Sequence, residues 1–247
     1  MSKTTLMRNA VLIGVNMNPD KTANFVRSEL IDCNFENADF SDSDLSGSRL
    51  DNIILNGANM TNCVLIGAGL KKANMIGINL TGADLKEANM QGVNMTSGIV
   101  RKANFDDTNL KWSILTGVDM SGICLVDANM KYAKCDDVNF DESDLSWAVL
   151  DRSDLTGASF NKSILTNAKI RDTSCSGTRF ANLSMASADL RATNFENASF
   201  TNVDLTGALL TGAKFKGAKF LNTTLNGQLL DDMTEIELEK IGKMVVL

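Results

Sequence analysis

Hydrophobic residues recur at every fifth position through most of the chain. All 42 residues whose number is a multiple of five, from Phe25 to Leu230, are Leu, Phe, Met, Ile, Val or Cys. The residue two positions earlier is small in 37 of these 42 repeats, so each repeat carries one large and one small apolar position. A period of five fits neither a helix, at 3.6, nor a strand, at 2.0. The pattern predicts a chain that turns a corner every five residues and points both positions inward.

Four such sides would close one coil of about twenty residues, and stacked coils would pair their backbones about 4.8 Å apart, as neighbouring strands do. Asn or Asp precedes the large residue in 20 of the 42 repeats, and these residue types suit corners because they tolerate turn geometry. Pro19 is the single proline of the chain, as expected where every ladder donor is needed. One ladder is predicted to stack phenylalanines as packing elements: Phe140, Phe160, Phe180, Phe200 and Phe220.

The repeat changes at both ends of the chain. Met7, Leu12 and Met17 continue it backwards, but the register restarts three residues late at Phe25. We therefore expect an N-terminal coil over 1–22 with a three-residue bulge at 20–22, and the main β-helix over 23–231. Residues 232–247 are predicted to form a short helix, which begins with the capping-box pair Thr234 and Glu237, and an apolar tail. This segment would either cap the last coil or form a dimer interface through Ile236, Leu238, Ile241, Met244, Val245 and Val246.

Composition then narrows the function classes. The chain has no histidine, which excludes His-based nucleophile pairs, His-ligated metals and His switches. We expect no enzyme activity, no cofactor and no metal site. The net charge of −6 argues against direct nucleic-acid binding, for which a basic surface is expected. Five cysteines without a CxxC pair indicate buried, reduced thiols, and the short apolar run near the N-terminus is too short for a membrane span, so we expect a cytoplasmic protein.

The same numbering sorts the charged surface residues. One side is predicted to form an acidic face, opposed only by Lys86, from Asp44, Asp84, Glu87, Asp106, Asp107, Asp127, Asp144 and Asp204. The next side is predicted to form a basic stripe from Arg49, Lys71, Lys72, Lys111, Lys131, Arg152, Lys169, Arg171 and Arg191. Four aspartates partly oppose these cations: Asp51, Asp151, Asp172 and Asp189. Trp112 and Tyr132 lie twenty residues apart on this stripe and should stack, while Trp147 faces outward on the acidic side.

The pattern of Ala, then Asp or Asn, then Leu or Phe, then two variable residues resembles the pentapeptide-repeat family; Ala83, Asp84 and Leu85 are one example. The resemblance implies an all-β fold, a right-handed quadrilateral β-helix, here followed by a short C-terminal α-helix. Residues 239–246 also resemble the C-terminal ending of Qnr-type and mycobacterial fluoroquinolone-resistance proteins. That resemblance implies a homodimer whose acidic rod mimics DNA and binds DNA gyrase or topoisomerase IV. The chain departs from the Qnr-type pattern because it lacks their long projecting loops.

Two hypotheses follow for function. In the first, a non-enzymatic homodimer engages a type II topoisomerase through the acidic face and modulates quinolone susceptibility. In the alternative, a structural, adaptor or effector protein binds a protein partner along the basic stripe at Trp112 and Tyr132. Both surfaces have a simpler interpretation as solvated faces that keep rods from associating at their edges.

Overall fold

The computed structural model describes residues 24–226, together with Val15, Met17 and the backbone of Leu6–Arg8 and Gln228–Leu229. Over 24–226 the chain winds into stacked coils in which each residue at a bridge position pairs in parallel with the residue 20 positions later. Asn24, Glu29, Asn34 and Asp39 begin four such series, one for each side of the coil. Ten coil-to-coil steps separate Asn24 from Thr224, which gives a stack about 48 Å high. The predicted all-β, four-sided β-helix is confirmed.

Most pairing is by single bridges, and continuous strands are short. The strands are β1 (Leu6–Arg8), β2 (Glu29–Ile31), β3 (Ser159–Asn161), β4 (Arg179–Ser184), β5 (Ser199–Asp204), β6 (Lys219–Leu221), β7 (Thr224–Leu225) and β8 (Gln228–Leu229). β3, β4, β5 and β6 are parallel neighbours on one side of the β-helix. No helix in the described residues is long and apolar enough to cross a membrane.

Each repeat places its residues in a fixed order along the side and corner. The small and large apolar residues face inward, the residue between them faces outward on the flat side, and the next two form the corner. The second corner residue has a left-handed backbone, with a φ of 56° at Trp112 and 71° at Gly92. The Asn and Asp residues before the large residue were predicted at the corners, but they lie on the flat sides. They act on the corner from there, because the Asn34 Oδ1 atom accepts a hydrogen bond from the Glu36 amide at 2.9 Å.

The core consists of vertical columns of like side chains. Rings of the predicted phenylalanine ladder stack from Phe140 to Phe220 at centroid distances of 4.9, 5.3, 5.0 and 4.9 Å. Cys33, Cys63, Cys135 and Cys175 are buried, as expected, and burial raises the pKa of the Cys63 thiol to about 12. The expectation of buried thiols is wrong for Cys124, which is exposed because it occupies the outward position of a flat side.

The two ends of the β-helix depart from the regular register. At the N-terminal end Met7 pairs with Leu30, an offset of 23 residues rather than 20. Met17 shows the same shift of three residues, because its amide donates to the carbonyl of Asp39, 22 positions later, whereas the amide of Phe25 donates to that of Asp44, 19 positions later. At the other end β8 turns back and pairs antiparallel with β7, which gives the last described side a neighbour. The conformation of the bulge at 20–22, the helix and tail over 232–247 and the six interface residues fall outside the described residues.

Candidate functional site

The eight carboxylates of the acidic face occupy two kinds of position. Asp44, Asp84, Asp144 and Asp204 lie half-buried on the flat side, where each accepts a hydrogen bond from the amide two residues later at 2.9 to 3.1 Å. These bonds satisfy backbone donors at the corner, so these four carboxylates help to build the coil. Uncharged residues separate them, for example Asn104 and Cys124 between Asp84 and Asp144. An even ladder of charge does not form on this flat side.

A continuous acidic column forms instead at the adjacent corner. Glu87, Asp107 and Asp127 occupy the same left-handed corner position in three successive coils, and all three are exposed. Their side chains accept no hydrogen bond from the described residues. The one ion pair in the column joins Lys86 Nζ to Asp107 Oδ2 at 4.0 Å, between two half-exposed side chains. Trp147 follows at the same corner of the next coil and is 55% exposed.

Asp106, beside the acidic column, has a perturbed carboxyl. Burial raises the pKa of Asp106, and the negative charges of Asp107 and Asp144 raise it further. The Val126 amide, which donates a hydrogen bond to Asp106 Oδ1 at 3.0 Å, opposes this increase. The net increase in the pKa shows that negative charge is crowded at this corner and only partly compensated by Lys86.

The basic stripe is largely neutralised between residues 131 and 191. Arg171 donates from its amide and its Nε to Asp151 Oδ1, at 3.1 Å in each case, and Lys131 Nζ lies 3.7 Å from Asp151 Oδ2. Arg191 Nη2 lies 2.7 Å from Asp189 Oδ2, and Arg171 Nε lies 3.7 Å from the same atom. We call Lys131, Asp151, Arg171, Asp189 and Arg191 the ion-pair network. The predicted cations are therefore present, but most of them form ion pairs with aspartates of the same surface.

Asp151 is the central carboxylate of the ion-pair network and is only 3% exposed. Burial acts to raise its pKa, but hydrogen bonds from Arg171 and the charges of Arg171 and Lys131 outweigh burial, so the pKa of Asp151 lies below its ordinary value. A pocket of about 200 Å³ opens here between Lys131, Asp151, Arg152, Arg171 and Asp172. Its cations already have partners, since Arg152 Nε also lies 3.7 Å from Asp172 Oδ2.

Trp112 and Tyr132 stack at the corner of the basic stripe, as predicted. Their ring centroids are 5.6 Å apart and their planes differ by 8°. Arg152 continues the stack, with its guanidinium 5.9 Å from the Tyr132 ring centroid and its Nη1 donating to the Tyr132 hydroxyl oxygen at 3.1 Å. Trp112 is 52% exposed and Tyr132 is 36% exposed. We call Trp112, Tyr132 and Arg152 the aromatic column.

Three further cations of the stripe lie on the N-terminal side of Trp112. Lys71 and Lys72 are exposed and Lys111 is half-buried, and none of them forms an ion pair with another residue of the described chain. Three cations without an ion pair among the described residues therefore lie near this end of the aromatic column, and Lys169 is a further one beyond the other end. The corner of this column and the corner of the acidic column border the same flat side, about 10 Å apart at about 3.3 Å per residue.

Sequence reasoning missed two features of these surfaces. Asp151 and Asp189 were counted only as opposing charges, although they organise the ion-pair network; their twenty-residue spacing from Lys131, Arg171 and Lys169 was the available signal. Gly92 was not singled out, although it occupies the corner position directly before Trp112 in the column and places no side chain there. The numbering that predicted the stacking of Trp112 on Tyr132 also contained that gap.

Comparison with known proteins places the repeat in a family. The family model described as pentapeptide repeats (8 copies) matches residues 23–57, 43–82, 63–97, 100–131 and 133–172, and the model described as a pentapeptide repeat region matches residues 153–234. No curated protein matches the sequence.

One solved structure of related architecture, that of HetL, supports the same assignment. HetL, a pentapeptide repeat protein involved in the regulation of heterocyst differentiation in the cyanobacterium Nostoc sp. strain PCC 7120, is 25% identical, with a TM-score of 0.51 over 84% of this chain and 91% of that one. QnrB1, a plasmid-mediated fluoroquinolone resistance protein, is 17% identical, with a TM-score of 0.41 over 99% of this chain and 100% of that one. Taken together with the repeat and the four-sided coils, the family matches show that this chain belongs to the pentapeptide-repeat family.

Proposed function

We propose that this pentapeptide-repeat protein acts without catalysis in the cytoplasm, and that its acidic column occupies the DNA-binding groove of a bacterial type II topoisomerase. The observation that carries the proposal is the exposed series Glu87, Asp107 and Asp127, which repeats a carboxylate at one corner in consecutive coils. Their spacing is one coil step, about 4.8 Å. Duplex DNA carries a phosphate charge about every 3.4 Å along each strand, so a groove lined with Lys and Arg can accept both.

The contrast with the basic stripe favours the acidic side as the one that acts at long range. Each carboxylate of the acidic column faces another carboxylate one coil away, so their fields add. The cations of the ion-pair network lie within 3.7 Å of Asp151 or Asp189, so their fields largely cancel. A surface that keeps its charge steers an oppositely charged partner and accelerates association.

We further propose that the protein is a homodimer joined through residues 232–247. The resemblance of residues 239–246 to the dimerising segment of Qnr-type proteins supports this assembly, and an apolar ending needs cover in water. Light scattering should report a dimer for the full chain and a monomer or aggregate after deletion of 233–247, with the β signal in circular dichroism retained. A monomeric full chain would refute the dimer.

The acidic column is tested by DNA gyrase supercoiling with and without a fluoroquinolone. The wild-type chain should inhibit supercoiling, or restore it in the presence of the drug, at micromolar concentration. The triple variant Glu87→Gln, Asp107→Asn, Asp127→Asn should need about tenfold more protein for the same effect, because charge on the docking surface sets the encounter rate.

A matched control removes equal charge from the diagonally opposite corner. The triple variant Asp136→Asn, Asp137→Asn, Glu196→Gln should keep the wild-type effect, although its net charge changes by the same amount. Equal loss in both triple variants would show that net charge alone matters. No effect of the wild-type chain on either assay would reject the proposal.

A second candidate function, an adaptor that binds a protein partner on the basic stripe, is favoured by the exposed stack of Trp112 on Tyr132. Exposed Trp and Tyr side chains are enriched among the residues that dominate binding energy at protein interfaces. The capture of a partner should be lost when Trp112→Ala and Tyr132→Ala are combined, and unchanged capture would count against the adaptor.

A further inference from the structure

The aromatic column is closed at one end and open at the other. Tyr132 covers one face of the Trp112 indole, and Arg152 covers the far face of Tyr132. The other face of the indole is directed toward the coil of Gly92, which occupies the same corner position one coil earlier. In the part of the chain that the structure describes, no aromatic ring or cation lies over that face. The column therefore ends in an exposed stacking surface.

The open face has a wall on its far side. Lys72 is the corner residue one coil before Gly92, so its backbone lies two coil steps, or about 9.6 Å, from that of Trp112. Its aliphatic stem leans toward the gap, because a Cβ built on Gly92 would lie 3.6 Å from Lys72 Cγ. A planar ring at the level of Gly92 would have the indole on one side and this stem on the other, at the separations usual for stacked rings.

The lysines around this slot favour a ligand that carries negative groups beside its ring. Lys71 and Lys72 lie in the coil before Gly92 and Lys111 lies in the coil after it, and none of the three forms an ion pair among the described residues. By contrast, Lys131 and Arg152 beyond the stack lie 3.7 Å from Asp151 and Asp172. A cation would be repelled from the open face of Trp112, although indoles otherwise attract cations. A ligand with a neutral ring between carboxylates could stack its ring on the indole and pair its carboxylates with the three lysines.

We propose that the slot at Gly92 binds an acidic peptide segment of a partner protein, with an aromatic side chain stacked on Trp112 and flanking carboxylates on Lys71, Lys72 and Lys111. The proposal names the occupant of the adaptor surface and rests on that second candidate function, independently of the acidic column. Glu87 and Asp107 line the opposite border of the adjoining flat side. Their charge repels any anionic ligand that extends across this side, so it disfavours a nucleic acid, whose line of phosphates would continue toward them, and permits a short acidic peptide that stays at the corner.

The test is fluorescence anisotropy with the full chain and three labelled probes. The first probe is a peptide with one Phe between runs of Asp and Glu; the second replaces that Phe by Leu; the third is oligothymidylate. The Phe peptide should bind about tenfold more tightly than the Leu peptide, since only the Phe ring can stack. Its affinity should fall with added salt because three lysines hold its carboxylates. Binding of oligothymidylate as tight as that of the Phe peptide would overturn the assignment to a peptide.

Two glycine variants distinguish the slot from the surface around it. Gly92→Asn fills the slot with a residue that tolerates this backbone, as Asn52 does two coils earlier in the same corner column with a φ of 56°. It should weaken the Phe peptide about tenfold and leave the Leu peptide unchanged. Gly177→Asn, at a φ of 67° on another corner with open space around it, should change neither.

The outcomes distinguish the peptide slot from the acidic column. Unchanged binding of the Phe peptide to a folded Gly92→Asn chain, checked by its β signal, would reject the slot. Absence of binding by every probe would reject the peptide proposal while leaving gyrase inhibition by the acidic column to be judged in its own assay. Trp112→Ala provides a second route to the same answer and should abolish the preference for Phe over Leu.

Discussion

The acidic column and the ion-pair network flank one flat side of the β-helix, yet they use their charges in opposite ways. In the acidic column each carboxylate has another carboxylate as its neighbour one coil away, at Glu87, Asp107 and Asp127. In the ion-pair network acid and base alternate, so Asp151 lies between Lys131 and Arg171. The number of charges on a face therefore says little about the charge it presents. The order of acids and bases in a column of residues spaced twenty positions apart decides whether their charges face a partner or neutralise one another.

The difference in burial follows from the difference in pairing. Asp151 is 3% exposed because guanidinium and ammonium groups cover it, whereas the three members of the acidic column are open to water. A carboxylate that is covered and hydrogen-bonded stabilises the fold, since its removal leaves donors without a partner. An exposed carboxylate among like charges adds little stability and remains available to a partner. We assign a structural role to the ion-pair network and a recognition role to the acidic column on this basis.

The largest expected effect is the loss of the central carboxylate of the ion-pair network. Asp151→Asn removes the charge that Arg171 and Lys131 share and should lower the free energy of unfolding by about 2 kcal/mol. Asp107→Asn, the matched change in the acidic column, should alter it by less than about 0.5 kcal/mol. Urea titration followed by circular dichroism measures both. Equal destabilisation by the two variants would remove the distinction between the regions.

The pH dependence of that difference is the next largest effect. The folded-state pKa of Asp151 lies below its ordinary value of 3.8, so its contribution is fully present above that pH. As the pH falls below the ordinary value toward the folded-state pKa, the carboxylate takes up a proton and its contribution is lost. The gap in stability between the wild type and Asp151→Asn should stay constant from pH 7 to about pH 5 and shrink below about pH 4. A gap that does not change with pH would show that shape, not charge, is responsible.

The fold could be predicted from sequence because one constraint is repeated in every coil. Each large residue from Phe25 to Phe215 is buried, so a single misplaced residue could not disguise the period. The charged surfaces could be predicted only as positions. The exposed ring of Trp112 and the buried carboxylate of Asp151 lie in neighbouring columns of one corner, and only side-chain rotamers decide which charges meet. Rotamers of long side chains depend on neighbours one coil away, and a count along one face does not contain that information.

The ends of the molecule show a second limit of the repeat. The shift from 20 to 23 residues at Met7 and Leu30 was readable, because the centres themselves move in the sequence. The antiparallel pairing of β8 with β7 was not, because the five-residue spacing of the sequence continues through Leu225 and Leu230 without any change that would signal the reversal. A period predicts which residues face inward but not the direction of the strand that carries them.

A smaller effect of opposite sign is expected at the border of the acidic column. Burial and the charges of Asp107 and Asp144 raise the pKa of Asp106, so ionised Asp106 costs stability at neutral pH. Asp106→Asn keeps an acceptor for the Val126 amide and should raise the free energy of unfolding at pH 7 by about 0.5 kcal/mol. The gain should shrink as the pH falls below the raised pKa and vanish below the ordinary value of 3.8, where the wild-type carboxyl is protonated in both the folded and the unfolded state. Destabilisation at pH 7 would show that its hydrogen bond outweighs the crowding of charge.

The smallest expected effect on stability concerns the exposed ion pair between Lys86 and Asp107, where binding and stability should respond differently. Lys86 is the one cation paired with the acidic column, at 4.0 Å from Asp107 and with both side chains nearly half exposed. Lys86→Ala should change the free energy of unfolding by no more than about 0.3 kcal/mol, as exposed pairs contribute little. The same variant should bind a basic partner more tightly, because it removes the opposing charge from the column.

Lys131→Ala is the matched change in the ion-pair network. It should lower stability without improving binding, because the ammonium of Lys131 lies against the buried carboxylate of Asp151. If Lys86→Ala binds gyrase with unchanged affinity and is less stable than the wild type, Lys86 has a structural role. In that case it does not oppose the charge that the acidic column presents to a partner.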